Sequence, residues 1–172
     1  YDPARLVSPI HESKRSTDDQ VTLGFKGLGL KQMASYGHQV PEGFILTTEL
    51  FGVLPALAYR PLYNDTIERV RKSLAHLEKK TRLRLGDPSA LLTLSIRSGA
   101  AISMPGLMTT FVDVGLNDEL AEALARKPGF EWAAWDSYRR FLQSWAMANG
   151  VDRDFFDQIM NDFKTRYGIE RK

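Results

Sequence analysis

Short apolar runs separate longer stretches whose hydrophobic positions recur at helical spacing. Leu91 to Ile96 is a run of apolar β-formers that follows the turn signal Asp87-Pro88, and it reads as a buried strand. Phe111 to Val114 reads as a second strand that pairs near it. Val21 to Leu23 and Phe44 to Thr47 are two further short strands. Between the runs, Leu28, Leu30, Met33 and Ala34 form the apolar stripe of a helix ending near Gly37. Thr47 or Thr48 caps a helix from Glu49 to Leu57. Asp65 and Glu68 make a capping-box pattern, and Ile67, Val70, Leu74 and Leu77 keep one face apolar to about Leu85. Asn117 caps another helix, and the chain finishes on Glu131 to Ala148 and Asp154 to Tyr167. The pattern predicts an α+β fold, a small mixed sheet of four short strands surrounded by helices.

Residues 1–20 are polar and irregular, with Pro3, Pro9 and the cluster from His11 to Asp19, and are expected to form a loosely held arm. The remaining 21–172 supply one buried core, since 172 residues suit one domain or a piece of a larger one. The start at Tyr1, without a methionine or the regions of a signal peptide, reads as a trimmed or internal segment. The 23 basic and 21 acidic residues nearly cancel, leaving a net charge of +2 and no strong field for nucleic acid. No run of about twenty apolar residues offers a membrane span. With no cysteine there is neither a disulfide nor a thiolate metal site, which suits a reducing, cytoplasmic setting.

Candidate chemistry sits at two glycine-rich turns. Arg97 ends the Leu91 strand and is followed by Ser98, Gly99, Ala100, Ala101, Ser103, Met104, Pro105 and Gly106, a loop able to present backbone N–H groups around one anion. Lys26 lies in Gly24-Phe25-Lys26-Gly27-Leu28-Gly29 at a helix N-terminus, where a cation is poorly matched to the helix dipole unless an anion lies between them. Lysine as a mobile point charge and arginine as a rigid fork would complement each other on phosphate. His11, His38 and His76 have no ligand partner at helical spacing. Arg69, Arg71, Lys72, Lys79, Lys80, Arg82 and Arg84 read as a solvated helix face rather than a nucleic-acid surface. Trp132, Trp135, Tyr138, Leu142 and Trp145 read as packing residues.

Three blocks, GFKGLGLKQMASYGHQVPEGFILTTE, LLTLSIRSGAAISMPGLMTTFVDVGLND and WDSYRRFLQ, resemble in this order the N-terminal nucleotide-binding region of pyruvate phosphate dikinase. The likeness runs over most of Val21 to Ile169. Arg97-Ser98-Gly99-Ala100 with Ser103-Met104-Pro105-Gly106 takes the dikinase form, rather than the arginine-serine-serine-alanine form typical of phosphoenolpyruvate synthase and rifampicin phosphotransferase. Two positions differ from the family's usual reading. Phe25 stands where a second glycine precedes the lysine, and Thr109 stands where an aspartate is common.

The resemblance implies an ATP-grasp architecture of which this chain is the first part. It places ATP contacts on Lys26, Arg97, Gly99, Ser103, Met104, Gly106, Thr109 and Thr110, with Arg97 also the catalytic candidate. It implies ATP and Mg²⁺ as cofactors, with the metal ligands outside this segment. The partners implied are the other ATP-grasp half and a swivelling phosphohistidine carrier domain of the parent chain, and a homodimeric parent is compatible with this reading. The complete enzyme's implied reaction converts ATP, phosphate and pyruvate into AMP, pyrophosphate and phosphoenolpyruvate, and the isolated segment is expected to be inactive. The competing expectation is a diverged, non-catalytic nucleotide-binding or interaction module of the same fold, motivated by Phe25 and Thr109.

Overall fold

The computed structural model describes residues 2–99 and 110–169. The chain divides into two compact units, one of Tyr1–Arg84 with Ser98–Met108 and the other of Leu85–Arg97 with Thr109–Lys172.

In the first unit, strands β1 (Val7–Pro9) and β2 (Phe44–Leu46) pair antiparallel, with Val7 opposite Leu46, Ser8 opposite Ile45 and Pro9 opposite Phe44. The Ile10 N–H donates to the Gly43 carbonyl and the Thr47 N–H to the Leu6 carbonyl, both at 3.0 Å, so the pairing extends past each end. A two-stranded ribbon this short is marginal alone and needs helices on it. Helix α1 (Gln20–Ser35) packs on β2 and helix α3 (Arg60–Thr81) packs on β1, with the short helix α2 (Glu49–Val53) between them in sequence. Leu6, Ile10, Leu23, Val53 and Leu77 are the buried apolar residues of this unit. Helix α3 begins earlier than the capping-box pattern predicts, because Pro61 sits in its first turn, where a missing N–H costs nothing. Asp65 instead pairs with Arg69 one turn on, at 2.8 Å.

Residues 1–20 differ from the loose arm that their composition predicts. Leu6 is fully buried, Ser8 lies in β1, and Asp18 is buried against α1. Val21 to Leu23 is also not a strand. Asp19 caps this stretch as the opening turn of α1, accepting the Thr22 N–H at 2.7 Å and its hydroxyl at 2.8 Å, so a three-residue apolar run became helical.

The second unit holds strands β3 (Leu94–Arg97) and β4 (Thr110–Val114), again antiparallel, followed by helices α4 (Asp118–Ala125), α5 (Glu131–Ala148) and α6 (Arg153–Tyr167). The Asn117 side chain accepts the Leu120 N–H at 2.8 Å and starts α4 as its sequence predicts. Helix α5 lies against both α4 and β4, burying Ala134 among the core of Leu92, Leu116, Leu120 and Ala121. Phe111 of β4 meets Trp145 of α5 with ring centroids 5.6 Å apart. Trp132, Trp135 and Leu142, expected as packing residues, are exposed, and Trp145 is half exposed despite its contact with Phe111. The four expected strands do not make one mixed sheet. Val21 is helical, β1 is new, and the strands form two separate two-stranded antiparallel sheets. Strand β3 is shorter than Leu91 to Ile96, and Ile96 is exposed rather than buried, because β3 pairs on one side only.

Among the described residues, no helix is long and apolar enough to cross a membrane.

Candidate functional site

Lys26 owes its position to a break in α1. Gly24 has φ 72° and ψ 162°, a region that essentially only glycine adopts, so the helix is interrupted there and Phe25 onward forms a helical piece with an N-terminus of its own. Lys26 sits in the first turn of that piece and is exposed, its Nζ donating to the Ser98 carbonyl at 3.4 Å. Gly27 is buried against β2. A Cβ there would stand 3.1 Å from Ile45 Cδ1, so glycine lets the helix backbone approach the strand closely. The Gly24→Ala variant is expected to lose about 1–3 kcal/mol of stability, since alanine must either carry the strained φ or straighten the break. A thermal melt of the variant measures this, and an unchanged midpoint would count against a required break.

Arg97 and Thr110 are brought together in the second unit, facing each other as the last pair of β3 and β4. In sequence, the glycine-, serine- and proline-rich stretch 98–109 lies between these two residues. The Arg97 Nε donates to Ser95 Oγ at 3.4 Å. Arg97 and Gly99 are exposed, and a side chain at Gly99 would meet nothing within 4 Å. Ser103, Met104, Gly106 and Thr109 lie outside the described residues.

One step back along the same ladder, β4 bulges. Leu94 faces Val114 and Ile96 faces Phe111, so Ser95 opposes both Val112 and Asp113, and Asp113 takes a left-handed φ of 54°. The bulge lines an open cavity of about 470 Å³ together with Thr93, Asp136, Ser137 and Arg140. Asp136 accepts from Arg139 and Arg140, each at 2.7 Å. The Arg139 guanidinium, then Arg140, holds the Asp136 carboxyl below its ordinary range even though burial pushes it up. These residues were not singled out as site candidates from the sequence, although WDSYRRFLQ carries Asp136, Ser137, Arg139 and Arg140. A bulge is invisible until the pairing register is known.

Lys26 and Arg97 belong to different units. Lys26 offers a mobile cation at a helix N-terminus and Arg97 a fork-shaped one at a strand end, a chemistry suited to phosphate oxygens. Among the described residues, no group of three or more histidines, aspartates or glutamates could hold a metal ion.

No family model matches the chain. Among characterised proteins it is 37% identical over 161 residues to pyruvate, phosphate dikinase of Rhizobium meliloti (strain 1021), with 93% of this chain and 18% of the relative aligned. The chain is similar to part of pyruvate, phosphate dikinase. The chloroplastic pyruvate, phosphate dikinase of Flaveria pringlei is 39% identical over 158 residues, covering 91% of this chain and 16% of its own length. That of Giardia intestinalis is 38% identical over 162 residues, 94% of this chain and 18% of the relative. The chain thus spans less than a fifth of the length of these dikinases. Matches covering nine-tenths of the chain necessarily take in Lys26, Arg97 and Arg140, so both glycine-rich turns and the cavity beside the bulge lie within the dikinase-like stretch.

Proposed function

We propose that this chain is the first, N-terminal part of an ATP-grasp nucleotide-binding module in a pyruvate phosphate dikinase-like phosphotransferase. The observation that carries the reading is the glycine break that gives Lys26 a helix N-terminus of its own, within a stretch similar to the dikinases over nine-tenths of its length. In the parent, Lys26 and Arg97 would each contact phosphate oxygens of ATP. Gly99, Ser103, Met104, Gly106, Thr109 and Thr110 would form the loop over the terminal phosphates. Charge on those oxygens calls for cations and N–H donors fixed in advance, which a helix terminus and a hairpin end supply without reorganisation. Mg²⁺, held by ligands outside this segment, would supply positive charge that offsets the charge on the phosphates. The phosphoryl group would pass to a histidine on a separate carrier domain, and the whole cycle would convert ATP, phosphate and pyruvate into AMP, pyrophosphate and phosphoenolpyruvate. The segment alone lacks the other half of that site and would be inactive, and the parent would work in a reducing compartment such as the cytoplasm.

Calorimetry with MgATP on the full-length protein tests this. The Lys26→Ala variant is expected to bind about 10- to 100-fold more weakly than the wild type, the loss of one charge-assisted contact. Wild-type protein that takes up no MgATP would instead indicate a diverged module without nucleotide chemistry. Equal affinity in both proteins would remove Lys26 from the site.

A further inference from the structure

Among the described residues of the first unit, the buried charges are Asp18 and Lys31. Lys31, on α1 beyond the break, is 4% exposed as a residue, and its Nζ lies 2.8 Å from Asp18 Oδ2 and 2.8 Å from Ser8 Oγ. Asp18 also accepts the Arg15 backbone N–H at 3.0 Å and lies 3.3 Å from the Ser8 hydroxyl. Among the described residues, no buried side-chain nitrogen or oxygen lacks a partner. Three segments therefore meet on one ammonium: β1 through Ser8, the turn before α1 through Asp18, and α1 through Lys31.

The geometry of the small sheet gives this cluster a direction. Ser8 and Ile45 are opposite one another in the β1–β2 register, and directly opposed side chains stand on the same face of a ribbon. Ser8 receives Lys31, while Ile45 is the side chain against which Gly27 is seated. One cross-strand pair thus holds α1 at two points, one polar and one apolar, both C-terminal to the Gly24 break. Because the break interrupts the helical ladder, the Asp19 cap at the start of α1 cannot by itself fix the piece that carries Lys26. That piece needs an anchor of its own. An apolar contact at Gly27 sets its distance from the sheet, whereas a buried ion pair with directional partners also sets its rotation and register.

We propose that Lys31 is a positioning residue, its buried contacts with Asp18 and Ser8 holding the first turn after the Gly24 break so that the Lys26 ammonium meets the nucleotide phosphates. This rests on the reading that Lys26 contacts those phosphates. A role confined to positioning makes a demand that general stability does not: disturbing Lys31 must weaken recognition of the triphosphate selectively.

The test uses the full-length protein carrying Lys31→Met, which keeps an unbranched apolar stem, and Ser8→Ala, a milder variant that removes one partner of the ammonium and serves if the first does not fold. MgATP and adenosine affinities are measured by calorimetry, and exchange of the Phe25 to Leu28 amides by hydrogen–deuterium labelling. The expected result is MgATP binding at least tenfold weaker for Lys31→Met, adenosine affinity within twofold of wild type, and faster exchange at those amides. The double variant Asp18→Asn/Lys31→Met, in which no charge is left buried, should slow exchange again and recover part of the MgATP affinity. Unchanged MgATP affinity with unchanged exchange would overturn the proposal, and so would equal loss of MgATP and adenosine. Measuring Lys26→Ala in parallel separates the two readings. If that variant binds MgATP normally, the phosphate role of Lys26 fails, and the anchor is then judged on amide exchange alone.

Discussion

Asp18→Ala is expected to lower the unfolding free energy by about 3–5 kcal/mol, the cost of leaving one partner of a buried ion pair without the other. Both side chains of the Lys31–Asp18 pair are 3% exposed, so water cannot replace the lost carboxylate at the ammonium. An exposed pair on α3 sets the contrast. Lys72 and Glu68 lie 3.7 Å apart with both side chains more than half exposed, and breaking such a pair costs well under 1 kcal/mol. Urea unfolding at constant slope distinguishes the two ranges. A loss as small as that of a solvated pair would mean that Asp18 is not buried. The same carboxylate makes stability depend on acid. Burial alone would raise its pKa, but the Lys31 ammonium, the Arg15 N–H and the Ser8 hydroxyl together outweigh burial and bring it below its ordinary value of 3.8. A depressed folded pKa contributes stability that is complete above the ordinary value and is lost as pH falls through the folded one. The wild type should therefore weaken below about pH 4 more steeply than Asp18→Asn, which has no proton to gain at this position.

This cluster is also where the sequence was least informative. Ser8, Asp18 and Lys31 are ordinary polar residues in a polar stretch and a helix, and what buries them is a meeting of segments that no local pattern encodes. Residues 1–20 read as an arm for the same reason, since Leu6, Val7 and Ile10 are too few to set a helical or strand period among the polar residues around them. Elements whose signals are local were legible. Asn117 opens α4, Glu131 to Ala148 forms α5 with the bounds its periodicity predicts, and Phe111 to Val114 pairs with the strand ending at Arg97. The candidate site divides along the same line. Lys26 at a helix N-terminus follows from three glycines in a short span, although the break lies inside a helix that starts earlier than expected. Asp113 could not be assigned to the cavity wall, because its left-handed turn exists only once two residues of β4 are set against one of β3.

On the proposed dikinase-like reading, Arg97→Ala is expected to reduce ATP-dependent phosphorylation of the carrier histidine in the full-length protein by about 10²–10³-fold, the scale set by removing one donor aimed at developing charge. The argument starts from where β3 stops. Arg97 is the last residue of its ladder and faces Thr110, so its backbone is held by strand pairing while its side chain stands on the exposed end of the hairpin. A guanidinium there is permanently charged and planar, and can give parallel hydrogen bonds to two phosphate oxygens, which an ammonium on a flexible stem cannot reproduce. Arg97→Lys should therefore restore only a small part of the rate even though it restores the charge. The exposed position also keeps the variant informative, because truncating a side chain there leaves no cavity and no unpaired buried group, so the fold should be unaffected within about 0.5 kcal/mol. Loss of labelling with intact unfolding behaviour would then belong to chemistry at the phosphates. If the loss appears in the maximal rate more than in the concentration of ATP needed, Arg97 acts chiefly on the transition state. If it appears only in that concentration, Arg97 serves ground-state binding. Labelling within twofold of wild type would reduce Arg97 to a solvated strand-end residue, and the phosphate site would then have to be sought without it.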